Sequence, residues 1–431
     1  MTKSPLFTNS EKHYFRAIKS IPLGSQTFSK SITHFPFGVS PLYLEKSRKC
    51  YSWDVDNNKY VDLISSLAAV TLGYNNRKIH KQILKQLKKG VTLSLPGLLE
   101  TEVAELIVEL VPCAELVRFA KNGSDATSAA VRIARAYTGK DMILMCGYHG
   151  WQDWSIGTTS RNKGVPEIGS SLVKTFNYND INDLKTLINK FDGKVAAVIM
   201  EPMNKSFPQD NFLEQVRQVT KEKNIVLVFD ETITGFRFSS GGAQKFFQVT
   251  PDIATFGKGL ANGFPLSAIV GKKEIMKEMN NIFFSGTFGG ELLSLAAAKV
   301  VLNEHKENKI AEKLYSIGKS LNSQVESLIS SYKLEQIIQL SGHETWKFIS
   351  FSKTNRYSED DLRTFFLQEM FKNRILILNS HNVTTSMNNA ALKKIIEGYD
   401  SVLNSFSETI TKNDLFNKLK ANTLTPLFKI R

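Results

Sequence analysis

Two residues in this chain have types and settings that allow chemistry together, Asp230 and Lys258. Lys258 stands between glycines in Phe256-Gly257-Lys258-Gly259, after the strand-like residues 252–256. Asp230 ends a second apolar run, residues 225–229. An amine at one strand end can form an imine with an aldehyde. A carboxylate at a paired strand end can keep an aromatic nitrogen protonated, so that its ring accepts electrons. Each residue alone also has an ordinary reading. Most lysines are solvated surface charges, and an aspartate after a strand often caps a turn or helix.

That pairing is what pyridoxal 5'-phosphate chemistry needs, and other turns add to it. Asn122-Gly123-Ser124-Asp125 follows the run 116–119 and opens a helix expected over 126–137, with Ala130, Ile133, Ala134 and Tyr137 on its apolar face. A glycine-serine turn at a helix N-terminus offers free N–H groups, a hydroxyl and the positive dipole end, which suit a phosphate. The plainer alternative is an N-cap by Ser124 or Asp125. Tyr148 lies between glycines in Gly147-Tyr148-His149-Gly150 and can lie flat on a ring or close the core. Glu201 and Asp230 both end apolar runs, where open α/β sheets bind ligands. Glu231 and Arg237 read as structural ion-pair residues. Thr287, in the glycine-rich turn 285–290, offers a second phosphate contact or a simple cap.

The elements that must position these residues follow from the alternation of the text. Short apolar runs at 116–119, 142–145, 196–200, 225–229 and 267–270 alternate with helical stretches. Such runs indicate a mostly parallel sheet with helices on both faces. Strands are expected at 42–45 and 50–56, and a long helix from about Glu291. Four segments are expected: an N-terminal arm with part of a small domain (1–60), a large domain (61–300), a smaller α+β domain (301–407), and a polar extension (408–431) without a readable role.

Bulk properties agree with an ordinary globular protein: 431 residues, 42% hydrophobic, 22% charged. No apolar run approaches the roughly 18–20 residues of a membrane span. Residues 1–5 lack an apolar signal core, and Cys50, Cys113 and Cys146 show no metal or redox spacing, so a cytoplasmic location is expected. The net charge of +14 is dispersed, as on the lysine face of 81–89, and does not argue for nucleic acid.

The ordered set of turns and strand ends resembles the class III, fold type I pyridoxal phosphate aminotransferases over roughly residues 22–406. The most specific stretches are Asp-Glu-Thr-Ile-Thr-Gly-Phe-Arg at 230–237 and Phe-Gly-Lys-Gly at 256–259. Within that group the chain is similar to the glutamate-1-semialdehyde 2,1-aminomutases. The resemblance implies a large domain on a mostly parallel, seven-stranded type of sheet. It implies that Lys258 carries the cofactor and moves the proton, that Asp230 pairs with the ring nitrogen, that Gly123 and Ser124 hold the phosphate, and that Tyr148 stacks on the ring. Thr232 would stand at the opposite ring face, where the family has an aliphatic residue. Thr287 would reach the phosphate of a neighbouring subunit, making a homodimer with shared sites.

Three departures fall on the substrate side. The family's tryptophan has no counterpart in residues 65–69, around Leu67. Lys30 stands nearest to the family's carboxylate-binding arginine and lacks its planar fork. Residues 379–385 contain no acid where the family has a glutamate. The expected activity is therefore transfer of an amino group from a separate amino donor to a small polar carbonyl acceptor, with Lys30, Leu67 and Glu201 as substrate-side residues. An intramolecular aminomutase is the alternative, and decarboxylases and racemases share the fold. The hydroxyls and amides of 65–66 and 379–385 suggest a polar acceptor.

Overall fold

The computed structural model describes residues 5–425. Of residues 1–5 and 408–431, used above for targeting and as the extension, positions 1–4 and 426–431 lie outside the described residues. The chain divides into two units, a larger one containing Ala68–Thr71 and Arg77–Lys313, and a smaller one with residues 5–67, Leu72–Asn76 and 314–425.

The larger unit is organised by a seven-stranded sheet. Its strands are β1 (Leu116–Ala120), β2 (Met142–Cys146), β3 (Val173–Thr175), β4 (Val195–Met200), β5 (Val226–Asp230), β6 (Ile253–Phe256) and β7 (Ser267–Gly271), in the spatial order β1-β7-β6-β5-β4-β2-β3. Every residue of β4, β5, β6 and β7 is buried, which explains their unbroken apolar text. Alternate side chains feed two cores. Ile143, Met145, Ala197, Ile199, Val226 and Val228 face one, and Leu144, Val198, Met200, Leu227 and Phe229 the other.

Only β7 runs antiparallel, to both β6 and β1. Residues 257–266 join β6 to β7 and are too few for a parallel crossover, which needs about a dozen or more. The short strand β3 carries no strong sequence signal and was not expected.

The first core includes helix α1 (Gly123–Thr138), whose Ala126, Ala129, Ala130 and Ala134 let it lie close on the sheet. It starts before the expected Ala126, because the turn itself is the first helical turn. The N-cap is Asn122, neither of the two expected residues; Asp125, at the third helical position, closes a capping box by accepting from the Asn122 N–H at 2.9 Å. Tyr137 is 44% exposed, contrary to its expected place on the apolar face. Helix α2 (Leu292–Glu307) begins after Glu291, whose carboxylate accepts from Leu293 N at 2.7 Å and Ser294 N at 3.1 Å.

The smaller unit holds a four-stranded and a three-stranded sheet. The expected strands at 42–45 and 50–56 are Leu44–Arg48 and Tyr51–Asp54. The segment after residue 407 is structural. Helix Asn389–Thr411 runs into its first residues, Leu415 and Leu424 are buried, and Lys420 N and Thr423 Oγ1 bond Gln368 and Asp361 on helix Glu359–Lys372 at 2.8 and 2.6 Å. Among the described residues, no helix is long and apolar enough to cross a membrane.

Candidate active site

Strand register brings the chemistry to one edge. Cys146 lies opposite Met200, and Asp230 opposite Thr255. The segments beyond these carboxyl ends line a cavity of about 360 Å³, wholly within the larger unit. Gly123, Ser124, Tyr148, Glu201, Asp230, Thr232 and Lys258 all reach it.

Asp230 is held on three sides. Oδ1 accepts from Thr232 N and Thr255 Oγ1, both at 3.1 Å, and Oδ2 lies 2.8 Å from His149 Nδ1. Burial pushes this carboxyl up, but the bond and charge of His149 and the hydroxyl and amide of Thr232 outweigh it and hold it below the ordinary aspartate range. His149 Nε2 faces the Cys146 carbonyl at 3.1 Å. Both ring nitrogens therefore face acceptors, and the imidazole donates to both only when doubly protonated.

Lys258 has φ +40°, a left-handed conformation rare for a side-chain-bearing residue. Burial lowers its ammonium pKa, while the carboxylates of Asp230 and Glu201 raise it and Arg237 lowers it further; the net direction is down. One cavity thus favours the charged form of the acid and the neutral form of the amine. Glu201, partly buried beside Asp230, is shifted up by desolvation and by that charge, and accepts from Asn204 Nδ2 at 2.7 Å.

The turn at Gly123 forms a cradle. Its first amide with a carbonyl partner inside the turn is that of Asp125, to Asn122 O at 3.1 Å. Gly150, at φ +114°, packs on this turn so closely that a Cβ would stand 2.4 Å from Ser124 Oγ. Thr127 Oγ1 pins the crossing loop by donating to His149 O at 2.6 Å. Tyr148 lies on that loop, 44% exposed.

Thr287 does not line this cavity. It lines a separate groove of about 940 Å³ with Arg118, Lys121, Arg132 and Phe288. Lys30 ends a short 3-10 helix in the smaller unit. Leu67, also in that unit, lies in a run of positive φ from Ser65 to Ala68 (48° to 68°).

Glu231 and Arg237 read in the sequence as structural ion-pair residues; among the described residues Glu231 is held by hydrogen bonds instead. Its carboxylate accepts from Ala243 N, from Gln244 N at 3.0 Å and from Thr234 Oγ1 at 2.8 Å. Arg237 donates to Ala68 O at 2.8 Å. The polar groups taken as signs of a polar acceptor are largely engaged inside the smaller unit. Ser65 Oγ donates to Asn382 O at 2.6 Å, Asn382 Nδ2 to Ile64 O at 3.0 Å, and Thr384 Oγ1 lies 2.8 Å from Ser386 Oγ. Sequence reasoning missed His149 as the partner of Asp230. Its place beside Tyr148 between two glycines was the available signal.

With this geometry in place, comparison with known proteins assigns the family. The class-III aminotransferase family matches residues 36–406, and the chain belongs to that family. It is 30% identical over 376 residues to a 3-aminobutyryl-CoA aminotransferase of Cloacimonas acidaminovorans, covering 85% of this chain and 90% of that one. It is 34% identical over 345 residues to a glutamate-1-semialdehyde 2,1-aminomutase of Methanothrix thermoacetophila, covering 76% and 79%. The FumI protein of Sphingopyxis sp. MTA144, solved in its PLP internal aldimine form, superposes with a TM-score of 0.87 at 25% identity, over 94% of this chain and 98% of that one. The expected class, and its fold with a mostly parallel seven-stranded sheet, therefore hold.

Proposed function

We propose that this protein is a pyridoxal 5'-phosphate-dependent aminotransferase that takes an amino group from a separate donor and gives it to a small carbonyl acceptor. The observation that carries the reading is the meeting of Lys258 and Asp230 in one cavity whose environment lowers both pKa values. The residues fit the cofactor: an anion cradle at Gly123 and Ser124, a buried amine, and a carboxylate held ionised.

Bound there, the cofactor supplies a reactive carbonyl carbon and a ring that accepts an electron pair. Gly123 and Ser124 bind its phosphate by backbone N–H groups and a hydroxyl. Asp230 keeps a proton on the ring nitrogen, and His149 keeps Asp230 anionic. Lys258 would hold the carbonyl carbon of the cofactor and, as a neutral amine, would carry a proton. Tyr148 and Thr232, which line the cavity, would flank the ring. Glu201, with its raised carboxyl pKa, is a polar contact on the substrate side.

We further read the protein as a homodimer. Thr287 lies outside its own chain's cavity, and Leu98, Phe283 and Phe288 expose large apolar surfaces on or beside the segments lining its groove. The cysteines, all unbridged, fit a reducing cytoplasm.

The test is spectroscopic. Protein loaded with pyridoxal phosphate should lose its visible absorption on addition of the right amino donor and regain it with a carbonyl acceptor. Failure to bind the cofactor overturns the reading. Efficient conversion of glutamate 1-semialdehyde to 5-aminolevulinate without added donor would overturn the separate-donor part and favour the aminomutase.

A further inference from the structure

Two consecutive residues of α1 reach the segment that follows β2. Thr127 Oγ1 donates to the His149 carbonyl at 2.6 Å, and Ser128 Oγ accepts from the Trp154 indole N–H at 2.8 Å. The first bond holds the backbone of His149. The second holds a ring beside it. The Trp154 and His149 planes lie 8° from parallel with their centroids 6.4 Å apart, an offset stack. The His149 side chain is fully buried, and its nitrogens face Asp230 Oδ2 at 2.8 Å and the Cys146 carbonyl at 3.1 Å. Hydrogen bonds at ring nitrogens lie in the plane of the ring. They fix its two edges and leave its tilt free, and a parallel indole restrains that tilt.

We propose that Trp154 is a positioning residue for the reaction: pinned to α1 through Ser128, it sets the plane of His149 and so keeps the Asp230 carboxylate aimed at the ring nitrogen of the cofactor. The inference rests on the pyridoxal phosphate reading of the cavity. Helix α1 then forms the phosphate cradle with its first turn and steadies the carboxylate with the next. Trp154 also packs on the first core. Core filling alone would cost stability and leave the site's response to acid unchanged.

The full-length protein, stripped of cofactor, is titrated with pyridoxal 5'-phosphate from neutral to acid pH. Binding weakens once Asp230 takes up a proton. Tyr148, Glu201 and Lys258, which sense the Asp230 charge, are the same in every protein compared. In Trp154→Leu the acidic fall in affinity should move up by about half a pH unit, the scale of one aromatic pair. Trp154→Phe, which keeps a ring, should lie nearer wild type. Ser128→Ala, which removes only the pin, should shift the fall in the same direction and carries the test if Trp154→Leu does not fold. In a His149→Phe background, neither change should move it further. A fall unmoved in both Trp154→Leu and Ser128→Ala, a phenylalanine variant shifted as far as the leucine variant, or a full further shift in the His149→Phe background each overturn the proposal. Wild-type protein that binds no pyridoxal phosphate overturns the cofactor reading itself.

Discussion

His149 Nδ1 lies 2.8 Å from Asp230 Oδ2, and the same imidazole reaches back to the Cys146 carbonyl at 3.1 Å. The contact ties the carboxyl end of β2 to that of β5 at the point where a negative charge must persist. Asp230 is fully buried, so without this partner desolvation would favour its neutral form.

Replacement of His149 should therefore raise the Asp230 carboxyl pKa and move the acidic limb of the activity profile to higher pH. His149→Phe keeps a ring beside Trp154, which stacks at 6.4 Å between centroids. Because the folded Asp230 value lies below the unfolded one, the contact stabilises fully above the unfolded value, about 4. Its contribution is lost as pH falls through the lower, folded value. The variant should lose about 1.5–3 kcal/mol at neutral pH, and denaturant titrations should converge with wild type in acid. A deficit that does not shrink on acidification would count against the ionised pair.

Lys258→Ala should remove the visible absorption of the lysine-bound cofactor and lower turnover by about 10³-fold or more, in the range of positioned acid–base groups. Cofactor retention should persist in part, since Gly123, Ser124 and Asp230 remain. Equilibrium dialysis separates the two effects, and normal turnover would remove Lys258 from the mechanism.

Two positive-φ glycines give an internal control. Gly150→Ala would drive a methyl group into Ser124 Oγ, whereas Gly139, at φ +65°, has nothing within 4 Å of a built Cβ. Gly150→Ala should weaken cofactor binding about tenfold or more, or ~1.4 kcal/mol. Gly139→Ala should leave affinity unchanged at a modest cost in stability. Equal affinities by titration would show that the cradle tolerates the displacement.

The segment after residue 407 should matter for stability and not for chemistry. Leu415 is fully buried, so Leu415→Ala should cost about 2–5 kcal/mol. Activity per folded molecule should hold. A thermal scan unchanged from wild type would refute this.

The dimer reading predicts complementation. Lys258→Ala subunits mixed with Thr287→Val subunits should form one doubly damaged and one intact site per heterodimer, restoring part of the activity. A fully active monomer by light scattering would exclude shared sites.

The sheet was legible because its strands are buried on both faces and so appear as unbroken apolar runs. The antiparallel turn of β7 was not, since residues 267–270 look the same in either direction and only the length of 257–266 decides. Asp230 and Lys258 announced themselves by their places after such runs. His149 did not, because its role depends on β2 and β5 being brought together across β4. The polar residues at 65 and 382 misled for a related reason. A side chain spent on an internal hydrogen bond reads the same in sequence as one free to meet a ligand.

The link 257–266 has a consequence for protein engineering. Both strands it joins are locked in place: Phe256 opposite Ala268, and Ser267 opposite Ala120. Adding or deleting one residue there would either extrude the segment carrying Lys258 or slip β7, moving each of its buried side chains to the opposite face of the sheet. The span works as a ruler of fixed length between two clamps. Variant libraries that seek new substrates should hold that length constant and place insertions in stretches such as 205–211, which carries mostly exposed residues and opens onto helix Phe212–Glu222.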